Sequence, residues 1–200
     1  MTTDNDDHEF DSLIKIGQSP SPIPPLPSLS PTPATYPGCC LALSTTLLTN
    51  LHALLPKRPN IVLSVGSGTG LLEAVLLASP HNLNIIGVEV HPSVNRYLPY
   101  SNHREVRGTY AISDLAAAAK AWLFVYPRRW QLVGEYLDLL EEKDVQMVVW
   151  LGPAKDWEEY EFLFSGYPDL KVKWDVQVRM ADALGGRPWD TLVVARKIRI

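Results

Sequence analysis

Two hundred residues with a formal net charge of −4 are enough for one domain with a substantial core, alone or with a tail. The mild acidity leaves no basic footprint for a nucleic-acid backbone, and no apolar run approaches the roughly 18 residues of a membrane span. The start MTTDNDDHEF is acidic where a secretory or mitochondrial signal is basic, so the expected location is cytoplasmic, with the nucleus left open.

Residues 1–35 differ from the rest. An acidic cluster (Asp4, Asp6, Asp7, Glu9, Asp11) leads into SPSPIPPLPSLSPTPATYP, where closely spaced prolines remove amide donors and favour extended backbone. This composition predicts a disordered, solvated tail, and residues 36–200 carry the folded domain. Cys39 and Cys40 are adjacent, which suits neither a disulfide framework nor metal ligation; they read as small packing residues at the start of a helix. That helix is expected over Cys40 to Leu55, interrupted by Thr45 and Thr46.

The central stretch is Ile61 to Val90. Ile61 to Gly66 is an apolar run that stops in Gly66-Ser67-Gly68-Thr69-Gly70, Leu71 to Ala78 carries one charge, Glu73, and Ile85 to Val90 is a second apolar run closing on Glu89. The pattern predicts strand, glycine turn, helix, strand, with a carboxylate at the tip of the second strand. Such a unit suits a nucleoside-containing cofactor. Glycine lets the backbone approach the ligand, and the carboxylate accepts hydrogen bonds from ribose hydroxyls. A dinucleotide fingerprint needs glycine at position 71 or 73, where the chain has Leu71 and Glu73.

Beyond it, His91-Pro92-Ser93 reads as the start of a short helix ending by Pro99, with His91 either lining the nucleoside pocket or lying in a loop. His103 to Gly108 is polar for a strand, as at a sheet edge. Ser113 to Lys120 reads as a short alanine-rich helix and Ala121 to Tyr126 as a buried strand. Trp130 to Lys143 is an amphipathic helix, Val145 to Leu151 a further strand, and Asp156 to Phe164 a helix with aromatics on one side. Lys171 to Arg179 alternates strictly, with Val172, Trp174, Val176 and Val178 on one face; Thr191 to Ala195 is a more buried strand. Trp150 and Trp157 flank the turn after the fifth strand and read either as core or as walls of a flat acceptor site.

The spacing G-x-G-x-G of Gly66, Gly68 and Gly70, with Glu89 ending the next strand, resembles the class I S-adenosylmethionine-dependent methyltransferases over about Tyr36 to Ile200. The resemblance implies an α/β, three-layer Rossmann-like sandwich with a mostly parallel seven-stranded sheet ending in an antiparallel hairpin. It implies S-adenosyl-L-methionine as cofactor, bound by Ser64, Gly66, Ser67, Gly68, Gly70 and Glu89, with Tyr126, Trp130 and Trp157 as candidates for the acceptor pocket. It also implies a lid hinged at Tyr36 and Pro37-Gly38. Two positions depart from the family pattern: Ser64 stands where an acidic residue is usual, and Thr109 lies where a carboxylate commonly meets the adenine, with Asp114 as a substitute.

The sequence holds no phosphate loop, no nucleophile elbow and no Cys and His cluster at zinc spacing, so no metal and no covalent catalysis are expected. Methyl transfer needs positioning above all. The expected activity is methyl transfer to an intracellular acceptor, a small molecule rather than a protein. The competing reading is a non-catalytic binding or scaffold subunit that keeps the fold.

Overall fold

The computed structural model describes residues 22–91, 94–139, 144–165 and 172–198. A short hairpin, β1 (Ala34–Tyr36) and β2 (Cys39–Leu43), leads to α1 (Thr45–Leu54) and then β3 (Ile61–Val65), α2 (Leu71–Leu77), β4 (Asn84–Glu89) and β5 (His103–Glu105). β6 (Ala121–Val125), α3 (Trp130–Asp138), β7 (Met147–Pro153), α4 (Ala154–Trp157) and α5 (Phe162–Ser165) follow, and β8 (Trp174–Met180) and β9 (Asp190–Lys197) close the chain. The main sheet has seven strands in the order β5-β4-β3-β6-β7-β9-β8. β9 runs antiparallel to β7 and β8, and the other pairings are parallel.

The central strands are apolar throughout because the sheet is covered on both faces. On one face Val62, Ile85, Leu123 and Val149 pack beneath Leu47, Leu48 and Leu51 of α1 and Leu72 and Leu76 of α2. On the other, Leu63, Trp122, Phe124 and Trp150 meet Val133, Tyr136 and Leu137 of α3 and the aromatics Trp157, Tyr160 and Phe164. The architecture is thus the expected three-layer α/β sandwich. The polar segment after His103 forms the short β5 at one sheet edge, where charged side chains meet solvent.

Several local expectations change. Cys39 and Cys40 lie in β2 and not in a helix, because Pro37-Gly38 folds the chain back and pairs Tyr36 with Cys39. The helix begins instead at Ser44, whose extended backbone and hydroxyl, 2.9 Å from the Leu47 amide, cap it. Thr45 and Thr46 therefore open α1. The segment 22–35 belongs to the expected tail, yet its end is tied to the domain: Ser30 O accepts from Thr45 N at 2.9 Å and Leu29 packs on the α1 face. The boundary expected at residue 35 falls inside β1.

The alanine-rich segment forms only a 3-10 turn at Asp114–Ala117, and Asp156 to Phe164 splits into α4 and α5. The helix read over 91–99 lies partly outside the described residues, as do 140–143 at the end of the amphipathic helix. Val178 is 52% exposed on the edge strand β8. No described helix is long and apolar enough to cross a membrane.

Candidate functional site

β3 delivers the chain into a turn in which Gly66, Gly68 and Gly70 have φ of +77°, +57° and +75°. L side chains are strained there, so the glycines are a structural requirement of this turn. Their surroundings differ. A Cβ on Gly66 meets nothing within 4 Å and one on Gly68 only Gly38 O at 3.8 Å, whereas one on Gly70 lies 2.8 Å from Leu98. The backbone at Gly66 thus borders open space, while Gly70 closes the turn against the 95–98 segment.

The turn is strapped to the neighbouring strand. Gly66 N and Ser67 N both donate to Val88 O, at 2.9 and 3.0 Å. Glu89 Oε1 accepts from Gly68 N and Oε2 from Val90 N, each at 2.9 Å. Each carboxylate oxygen keeps a further lone pair, so Glu89 both holds the turn and remains an acceptor. Between them opens a small cleft of about 40 Å³ bounded by Gly66, Glu89, Val106, Gly108, Thr109 and Leu132, among others. Thr109 stands in its wall. Asp114, the expected substitute carboxylate, is exposed in the next turn and does not line the cleft.

Ser64 and Ser67 face elsewhere. Ser64 is 1% exposed, and its hydroxyl donates to Glu73 Oε1 at 2.6 Å. Ser67 Oγ is buried without a partner and lies where a Cβ on Gly87 would meet it at 2.6 Å. Beside Ser64 lies Glu73, the one charge of the apolar α2 segment. It is fully buried in the first turn of α2, its Oε2 has no hydrogen-bond partner, and burial pushes its carboxyl up to about 7 against the opposing Ser64 hydrogen bond. Cys39 is its neighbour in charge: burial, then Glu73, push that thiol up to about 12.

The β1–β2 turn sits on the glycine turn. Thr69 Oγ1 donates to Gly38 O at 3.1 Å, and a Cβ on Gly38 falls 2.4 Å from Thr69 Cγ2. This is where the resemblance implied a lid.

Of the three acceptor-pocket candidates, only Tyr126 stands at the end of the sheet beside the turn. Its hydroxyl donates to Asp190 Oδ1 at 2.5 Å, and burial, with that bond to the carboxylate, raises its ionisation above the ordinary phenol range. Trp130 packs edge-on against Phe162, with ring centroids 5.2 Å apart, in a groove between α3 and α5 away from the cleft. Trp157 is a core residue: it is 6% exposed and stacks on Trp150 at 5.3 Å and Phe164 at 5.6 Å, because α4 turns it back over the sheet. Asp190 carried no signal in the sequence, since 64 residues separate it from Tyr126. Among the described residues no group of three His, Cys, Asp or Glu is placed to hold a metal ion.

No protein-family model and no curated protein matches the chain. Solved structures do. An S-adenosylmethionine-dependent methyltransferase from Aquifex aeolicus aligns with a TM-score of 0.55 at 14% identity, over 76% of this chain and 89% of that one. The plantazolicin methyltransferase BpumL, solved with a triazolic desmethylPZN analog and SAH, aligns at 0.55 and 12% identity over 77% and 83%. A methyltransferase from Archaeoglobus fulgidus gives 0.53 at 12% identity over 77% and 95%. At these identities the likeness speaks to architecture, and it agrees with the strand order, the closing antiparallel hairpin and the glycine turn: the chain has the class I S-adenosylmethionine-dependent methyltransferase fold.

Proposed function

We propose that the chain is an S-adenosylmethionine-dependent methyltransferase acting on a small cytoplasmic acceptor. The observation that carries this reading is the pairing of an open, left-handed glycine turn with the Glu89 carboxylate across a cleft at the carboxyl end of the sheet. The residues present fit the cofactor. Glu89 keeps acceptor capacity for ribose hydroxyls, and Val106, Ala111 and Leu132 offer an apolar wall for a purine. When bound, the cofactor supplies a methyl group activated on a sulfonium.

The chain's own part is to hold and orient. Gly66 and Gly68 present backbone without side-chain obstruction, Glu89 fixes the nucleoside end, and the β1–β2 turn limits water access above Thr69. A small acceptor accords with the net charge of −4, which disfavours a nucleic-acid backbone. The test is calorimetric titration with S-adenosylmethionine and its demethylated product, with NAD as control. Binding of the first two and not of NAD supports the reading; Glu89→Ala weakens both ligands, and unchanged affinity in that variant removes Glu89 from the site.

One observation favours the second reading, a non-catalytic relative. The Gly68 amide is already engaged by Glu89, and Gly38 packs directly on Thr69, so the turn is satisfied from within. A folded protein that binds neither ligand supports that role.

A further inference from the structure

The end of β6 carries a feature that cofactor binding at the glycine turn does not use. Tyr126 has φ of +50°, one of two described non-glycine residues in the left-handed region, and its amide is held by Leu151 O. For a bulky residue this conformation is costly and persists only when its surroundings impose it. The phenol meets Asp190 at the start of β9. Asp190 is fully buried, and its second oxygen, Oδ2, has no hydrogen-bond partner. A buried carboxylate left half-satisfied is expensive unless a positive charge answers it.

Among the described residues no cation forms an ion pair with Asp190. Arg187 stands beside the Tyr126 phenol and stacks over Trp189 at 5.5 Å. Its charge offsets the field of Asp190 in part.

The topology says where that field acts. Val65 pairs with Phe124, so Tyr126 leaves the sheet one strand spacing, about 4.8 Å, from the strand that runs into the glycine turn. The nucleoside end of the proposed ligand lies on the other side of that turn, at Glu89 on β4, so its sulfonium end faces β6. Resting on the methyltransferase reading, we propose that Asp190, held in place by Tyr126, is the counter-charge for the sulfonium and lets the chain tell the cationic cofactor from its neutral demethylated product. Arg187 opposes it and sets how far the preference goes.

The test compares affinities of S-adenosylmethionine and of its demethylated product by calorimetry in the full chain. Asp190→Asn leaves the product's affinity unchanged and lowers the cofactor-to-product affinity ratio on the order of tenfold, the scale of one unit charge roughly 10 Å away, two strand spacings from β6, at an effective dielectric of about 20. Arg187→Ala moves the ratio the other way. Tyr126→Phe removes the hydrogen bond that orients Asp190 and lowers the ratio in the same direction as Asp190→Asn, so the test survives if the buried Asn variant fails to fold. An unchanged ratio in folded Asp190→Asn, or equal weakening of both ligands, overturns the assignment; so does Arg187→Ala leaving the ratio where it was. A wild-type chain that binds neither ligand instead sinks the methyltransferase reading on which it rests.

Discussion

Glu73→Gln isolates the energetic consequence of placing a carboxyl behind the glycine turn. The side chain is fully buried, and burial raises its ionisation from 4.5 to about 7 in the fold. The folded state therefore holds a proton that the unfolded chain has released across that interval, so stability falls as pH rises from about 4.5 to about 7. At ~1.36 kcal/mol per pH unit, the full cost above pH 7 is about 3 kcal/mol, a large share of the ~5–15 kcal/mol typical of a domain. Glutamine keeps the shape and the hydrogen bond from Ser64 but does not ionise. Its amide is unpartnered at every pH, so the absolute offset between variants is uninformative and the pH dependence is not. Urea unfolding followed by circular dichroism at pH 5, 6, 7 and 8 measures it. Stability of Glu73→Gln relative to wild type rises by about 2.5 kcal/mol between pH 5 and pH 8, the rest of the cost falling below pH 5. Parallel pH profiles for the two proteins refute the reasoning, because every other titrating group is common to both.

Gly66→Ala and Gly70→Ala share the left-handed strain of about 1–2 kcal/mol, but the second also drives a methyl to 2.8 Å from Leu98. Chemical denaturation places Gly70→Ala a further 1–3 kcal/mol below Gly66→Ala. Ser44→Ala removes the cap of α1 and the 2.6 Å bond to Gly185 O, lowering stability by about 1–2 kcal/mol in the same assay; no change means that water replaces both bonds. Trp157→Ala costs about 3–5 kcal/mol, as loss of a core aromatic does, while calorimetry on the remaining folded protein shows cofactor affinity unchanged. Loss of affinity without loss of stability puts Trp157 back at the acceptor site.

The amino-acid sequence alone determined the elements whose signal is local. Short, mainly apolar runs at 61–65, 85–88, 121–125 and 147–151, bounded by turn residues, specify strands buried on both faces. Glycines at 66, 68 and 70 specify a turn that only they adopt without strain, and Glu89 follows at the tip of the next strand because strand length fixes it there. Strict alternation after Lys171 specified an edge strand with a wet face. Tertiary structure decided what depends on partners distant in the chain. Cys39–Leu43 is a strand because Pro37-Gly38 turns it back onto Ala34–Tyr36, while its own composition is equally that of a helix. Ser64 faces Glu73 and not the cleft because residues alternate across β3, so its neighbour on that face is α2. Trp157 is core because α4 is one turn long and points inward. The pairing of Tyr126 with Asp190 exists only because β7 brings the ends of β6 and β9 together across 64 residues, a closeness that no local pattern encodes.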